Sequence, residues 1–227
     1  MPIFLLSNQL VFPPVHLAHN SGLLAIGGDL SAKRLLLAYK LGIFPWFSDE
    51  EPIMWWSPDP RLVLYPGELK VSKSLKKIIK KDIIHVTMDS AFNRVIASCA
   101  QVRLQKNEGT WVGKNMITAY CKLHDLGYAH SVEAWSEGEL VGGLYGVSLG
   151  KCFFGESMFT RKNNASKVAF VKFVEYLKAL SFDMIDCQVT TDLLISFGAK
   201  EIPRKQFLKQ LEKSLKVPTI KGKWVFA

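Results

Sequence analysis

Residues 152–189 constrain the chain more than any other stretch. An apolar strand-like run at 152–159 is followed by a long apolar helical segment at 165–180 and a second strand at 182–189. A strand, a crossover helix and a strand imply parallel pairing, and the crossover must be right-handed for the helix to pack back onto its sheet. Two further strands precede this unit in a meander. The first covers 129–135, Glu137-Gly138-Glu139 turns the chain, the second covers 140–148, and Gly150-Lys151 turns it again into 152–159. Helical spacing predicts helices over 72–81, over 90–99 and over 115–126, the last with Met116, Ala119, Tyr120 and Leu123 on one face. The expected class is α+β, with a mixed central sheet flanked by helices.

Residues 1–62 read differently. Turn signals recur at Pro13-Pro14, Gly27-Gly28, Pro45, Pro52, Pro58 and Pro60, around one clear helix that starts at Asp29 or Ser31 and stops near Gly42. Short elements and frequent prolines suggest a small lobe leaning on a larger domain, so the expected division is 1–62 and 63–227. The 227 residues are enough for one large domain or two small ones.

Composition removes several classes. Apolar residues make up 48% and charged residues 22%, as in an ordinary globular protein. No apolar run reaches the roughly eighteen residues of a membrane span, and Met1 to Leu6 lacks the basic start of a secretory signal. The expectation is a soluble, cytoplasmic protein that meets no membrane. Cys99, Cys121, Cys152 and Cys187 are widely spaced, and His16 and His19 sit in a Pro-rich stretch, so neither disulfides nor a metal site is expected. There is no P-loop, G-x-S-x-G elbow or H-E-x-x-H, and no cofactor is expected. Gly142-Gly143-Leu144-Tyr145-Gly146 reads as a strand closely approached by other backbone. Lys and Arg exceed Asp and Glu by 29 to 20, or +9, which suits a polyanionic partner.

Part of that charge is patterned. In 72–81, Leu75, Ile78 and Ile79 can face a core while Lys73, Lys76, Lys77, Lys80 and Lys81 crowd the opposite side. Lysines at i and i+4 repel, so phosphates would stabilise this helix, although a solvated lysine face reads the same way. Trp46, Trp55, Trp56 and Trp111 fall in apparent loops. Rings beside a basic surface stack on unpaired bases, with Trp111 and Trp46 the better candidates, but tryptophans also close cores. On the strand at 182–189, alternation separates Ile185, Cys187 and Val189 from Asp186 and Gln188; on 153–159 it puts Glu156 and Met158 on one face. If the crossover makes these strands neighbours, Glu156, Asp186 and Gln188 converge, and buried carboxylates there want a cationic or hydrogen-bonding partner. A polar strand face in water is the alternative.

Six strings occur in order: GLLAIGGDL at 22–30, GIFPWF at 42–47, WWSPDPR at 55–61, GTW at 109–111, FGESMF at 154–159 and IDCQ at 185–188. Together they resemble the leucyl/phenylalanyl-tRNA–protein transferase family. The resemblance implies a small N-terminal domain followed by an acyltransferase domain of GNAT type. It implies transfer of Leu or Phe, and by pocket shape Met, from aminoacyl-tRNA to proteins beginning with Lys or Arg, which marks them for N-end-rule degradation. Trp46 and Trp111 would hold the terminal adenosine, and Lys73, Lys76, Lys77, Lys80 and Lys81 would track the acceptor stem. Leu144, Phe153, Met158 and Phe173 would line the side-chain pocket, Glu156 would serve the substrate amine, and Asp186 and Gln188 the reacting centre. Leu144 and Leu177 depart from the Met and the aromatic common at those places, which bears on Leu against Phe preference. The tail with Lys221 and Trp224 matches no motif.

The implied reaction needs little machinery. An amine attacks an activated ester, so no enzymic nucleophile is required; positioning and a neutral amine suffice. On this reading Gln188 accepts a hydrogen bond from the amine while Asp186 orients its amide. Two rivals remain. A CoA-dependent N-acetyltransferase would carry a Q/R-x-x-G-x-G/A loop, which is absent, and a non-catalytic RNA-binding module would not need the Asp186 and Gln188 face.

Overall fold

The computed structural model describes residues 3–48, 50–105 and 113–226. Its N-terminal lobe holds β1 (Phe4–Leu6), β2 (Leu23–Gly27), α1 (Ala32–Lys40), β3 (Phe44–Pro45) and β4 (Met54–Trp56). The four strands form one sheet in the order β1-β2-β4-β3. Ser31 caps α1 by accepting the Arg34 backbone N–H, and the helix buries Leu35, Ala38 and Tyr39. The supposed aromatic loop is therefore partly sheet. Trp55 and Trp56 lie in β4, and Trp55 is wholly buried, its Nε1 donating to the Gly27 carbonyl at 2.9 Å.

The rest of the chain supplies β5 (Arg61–Leu64), α2 (Lys73–Lys80), β6 (His85–Met88), α3 (Phe92–Gln105), α4 (Lys114–Asp125), β7 (Ala129–Ser136), β8 (Glu139–Leu149), β9 (Cys152–Thr160), α5 (Ala165–Ala179), β10 (Met184–Gln188), α6 (Asp192–Ser196), β11 (Lys200–Ile202) and α7 (Arg204–Ser214). The strands order as β11-β5-β10-β9-β8-β7-β6. β9 and β10 pair in parallel with α5 between them in sequence, and the neighbouring ladders are antiparallel. This is the mixed α+β sheet flanked by helices that the sequence predicts. α3 is longer than predicted, because no Gly or Pro stops it at Cys99. β5 begins at Arg61 and pairs with β11, so the predicted boundary after residue 62 falls inside a strand of the large sheet.

Two apolar layers sandwich the large sheet. α3, α4 and α7 join the lobe on one face, while α2 and α5 cover the other. α5 is apolar on most sides because it lies between the sheet and α2. β8 accepts it closely: a Cβ at Gly142 would stand 2.7 Å from the Ala165 Cβ, the close approach expected of that glycine-rich stretch.

Candidate active site

The parallel ladder between β9 and β10 stops early. Its last pair is Asp186 with Phe154, and beyond it both strands lose register against their outer neighbours. On β9 the register slips where Tyr145 faces Ser157 and Gly146 faces Gly155, leaving Glu156 as the extra residue of a bulge. On β10 it slips between Asp186 and Gln188. Bulges re-aim side chains and end pairing, so a gap opens in the sheet at one level.

A cavity of about 290 Å³ occupies that gap. Leu144, Phe153, Met158 and Phe173 line it, together with Phe170 and with Ile185 and Cys187, which alternation places on the face opposite Gln188; the slip in β10 brings Gln188 into the same cavity. Phe153 and Phe173 meet edge to face, with ring centroids 4.6 Å apart. Glu156 and Gln188 form its polar end, and Phe44, Pro45 and Trp46 of the lobe edge its rim. Trp46 is 41% exposed there and leans against Trp56 with centroids 5.6 Å apart.

The β9 bulge overturns one expectation. Glu156 and Met158 do not share a face: Met158 packs in the layer of α5, whereas Glu156 turns towards Tyr39 of α1 and Tyr120 of α4, on the opposite side. Tyr39 donates to Glu156 Oε1 at 2.7 Å and Tyr120 to Oε2 at 2.9 Å, and the two hydroxyl oxygens are in short contact. With one proton each, they bond to one another only when one of them accepts from a protonated Glu156 instead of donating to it. Gln188 Nε2 also donates to Oε1, at 2.8 Å, bridging the gap between the strands. Burial raises the Glu156 carboxyl to about 7; the three donors pull it down, and the nearby Asp186 charge pushes it up. Burial, then the Glu156 charge, raises both tyrosine hydroxyls well above their ordinary value.

Asp186 sits close by but does not line the cavity. Both of its oxygens are taken by Arg61, whose Nε and Nη2 donate at 2.8 and 2.7 Å, and both side chains are wholly buried. The guanidinium lies between the rings of Phe44 and Phe207, 4.8 and 4.7 Å from their centroids. Asp186 Oδ1 also accepts the backbone N–H of Gln188 at 2.9 Å. That bond holds Gln188 at φ 62°, a left-handed conformation few non-glycine residues adopt. Asp186 thus orients Gln188 through its backbone rather than its amide, and the amide is oriented by Glu156.

The predicted convergence of Glu156, Asp186 and Gln188 is present. Arg61, Tyr39 and Tyr120 are the partners that sequence reasoning missed. A lone arginine in the apolar run Arg61-Leu62-Val63-Leu64 was the available sign for the first, since a buried arginine demands a carboxylate. On α2, capped by Ser72, Leu75 is buried and Lys73, Lys76, Lys77 and Lys80 are exposed, with Lys81 just beyond. None of the five has an acidic partner within ion-pair distance among the described residues. Trp111 lies outside the described residues. Among the described residues no cluster of His, Cys, Asp and Glu has metal-binding form, and no helix is long and apolar enough to cross a membrane.

Residues 63–212 match the family model described as leucyl/phenylalanyl-tRNA protein transferase, and residues 28–59 match that of its N-terminal domain. The chain belongs to the leucyl/phenylalanyl-tRNA–protein transferase family. It is 57% identical to the transferase of that name from Desulforapulum autotrophicum over 226 residues, covering 100% of this chain and 99% of the relative. It is 59% identical to that from Syntrophobacter fumaroxidans over 215 residues, 95% of this chain and 92% of the relative. Among solved structures it is similar to an aminoglycoside acetyltransferase from an uncultured soil metagenomic sample, with a TM-score of 0.40 and 15% identity over 52% of this chain and 86% of that one. Of the quoted strings, GIFPWF supplies the cavity's rim, FGESMF and IDCQ form the two bulged strands that line it, and WWSPDPR ends at Arg61, the partner of Asp186.

Proposed function

We propose that the chain transfers Leu, Phe or Met from aminoacyl-tRNA to the N-terminal Lys or Arg of acceptor proteins in the cytoplasm, marking them for N-end-rule degradation. The observation that carries this reading is Gln188 hydrogen-bonded to Glu156 at the polar end of an apolar cavity sized for one large side chain. On this reading the lobe before β5 forms the small N-terminal domain, and the large sheet from Arg61 on, two residues earlier than the division at 62 and 63, carries catalysis on a GNAT-like scaffold.

The donor side chain enters between Leu144, Phe153, Met158 and Phe173, which leaves its ester carbonyl beside Gln188. A cavity of this kind separates residues differing by a methylene by only about 1–3 kcal/mol, so Leu, Phe and Met all enter. Gln188 Nε2 is committed to Glu156, and its free amide oxygen accepts from the attacking amine. The amine nitrogen bonds to the carbonyl carbon, the bond to the ribose oxygen breaks, and the amine's proton leaves on that ribose hydroxyl. An α-amino group has a reference pKa of roughly 7.7–8.0, so a neutral fraction exists at pH 7. Where the amine arrives as ammonium, Glu156, raised to about 7, takes the first proton and so supplies the neutral nucleophile; the second proton, released on attack, is the one that leaves on the ribose hydroxyl. Asp186 is a positioning residue that acts through the Gln188 backbone. Trp46 and Trp111 stack the terminal adenosine, and the five lysines of 73–81 meet the acceptor-stem phosphates.

The test is incubation with radiolabelled Phe-tRNA and a peptide beginning with Arg, with acetyl-CoA as the control donor. Label in the peptide from Phe-tRNA alone is expected; acetylation of the peptide without aminoacyl transfer would overturn the reading in favour of an N-acetyltransferase.

A further inference from the structure

Beyond α7 the chain runs back to the opposite side of the sheet, and among the described residues of this tail one is buried. Trp224 is 2% exposed and belongs to the apolar layer of α5, past the end of the matched family model at residue 212. Three contacts lock it in place. Its backbone N–H donates to Asp89 Oδ2 at 2.7 Å, and the same oxygen receives His130 Nδ1 at 2.8 Å. Its indole stacks on the His130 ring with centroids 3.8 Å apart and planes 13° apart. Two residues earlier, Gly222 lies against Gly127 so tightly that a Cβ on Gly127 would stand 2.5 Å from the Gly222 nitrogen.

The other side of the indole meets the candidate site. Its centroid is 6.4 Å from both Phe153 and Phe173, the edge-to-face pair in the cavity wall, and 5.8 Å from Tyr176 and Phe182. Trp224 does not line the cavity itself. Phe153 is held from the front, since its ring sits where a Cβ on Gly146 would be, only 2.6 Å from that point. Its freedom to retreat is therefore set by what stands behind. A dense interior relaxes only partly around a deletion, but an aromatic ring with an indole-sized void behind it has somewhere to go.

We infer that Trp224 is a specificity-positioning residue: the C-terminal tail fixes the depth of the donor side-chain pocket by backing Phe153 and Phe173. The inference rests on the reading of this cavity as the aminoacyl pocket. Donor choice is then shared between wall residues and a tail that enters from the far end of the chain.

The experiment compares kcat/KM for leucyl-tRNA and naphthylalanyl-tRNA, using an Arg-peptide acceptor, in the full chain and in Trp224→Leu, Trp224→Phe and Phe173→Leu. The naphthylalanyl-to-leucyl ratio should rise about ten-fold in Trp224→Leu, the scale at which pockets discriminate by size, and about two-fold in Trp224→Phe. Trp224→Phe keeps a ring against His130 and carries the test alone should Trp224→Leu fail to fold. A purely structural tail would lower both donors together and leave their ratio unchanged, which overturns the inference. If Phe173→Leu moves the ratio and neither Trp224 variant does, this inference falls while the pocket reading stands. If no variant moves it, the pocket reading falls and takes the inference with it.

Discussion

Two carboxylates are buried on adjoining strands, at Asp186 and Glu156, and they are held in opposite ways. Asp186 meets a full positive charge, Arg61, in a bidentate pair clamped between Phe44 and Phe207. Glu156 meets only neutral donors, two tyrosines and an amide. Burial then acts on Glu156 without a compensating charge and moves its carboxyl to about 7. The difference separates a structural charge from a group that titrates near working pH, on strands only one place apart in the sheet. It also ties both parts of the molecule to the site, since Tyr39 and Phe44 come from the N-terminal lobe.

The largest expected effect tests the Asp186 side. Asp186→Ala leaves the Arg61 guanidinium buried and unpaired, and should destabilise the fold by about 3–5 kcal/mol in chemical denaturation. Replacing both members, as Arg61→Met with Asp186→Leu, should recover most of that loss. A single variant as stable as the parent would break the contrast.

The Glu156 side predicts a pH dependence of definite sign. The folded carboxyl sits at about 7 against 4.5 for an ordinary one, so between those values the folded state binds the extra proton. This stabilising contribution is complete below about pH 4.5 and is lost as the pH rises through 7, a change of about 3 kcal/mol at roughly 1.36 kcal/mol per pH unit. Glu156→Gln should abolish this component; urea midpoints measured from pH 5 to 8 that fall equally in parent and variant would contradict it. A smaller effect sharpens the same point. Tyr39→Phe removes a donor that lowers the Glu156 carboxyl, so the acid limb of the pH–rate profile should move to higher pH, at a stability cost of about 1–3 kcal/mol. An unmoved limb would show that Tyr39 does not hold the carboxylate.

Much of this architecture is legible from local pattern. The turns at 137–139 and 150–151 and the lysine face of α2 are signals spanning a few residues, and the strands and helix they delimit form where they predict. What escapes is set by distance along the chain and by irregularity. Arg61 and Asp186 are 125 residues apart, and Tyr39 and Glu156 are 117 apart, so no spacing rule links them. Alternation places Glu156 beside Met158, and a single-residue bulge moves them to opposite faces, which period-two reasoning cannot register. Trp55 reads as a loop residue because Pro45, Pro52 and Pro58 surround it, yet the strand it occupies is only three residues long. Trp224 carries no local motif at all; its burial comes from a backbone bond to Asp89, 135 residues earlier.

The central claim is that Gln188 holds the attacking amine at the ester. Single-turnover transfer of Phe from Phe-tRNA to an Arg-peptide, in the parent and in Gln188→Ala with tRNA affinity measured alongside, tests it directly. The rate should fall about a hundred-fold or more, on the scale of a lost positioning group, while tRNA affinity stays within about two-fold. A variant that turns over at the parental rate, or one whose loss lies entirely in tRNA binding, would contradict the account.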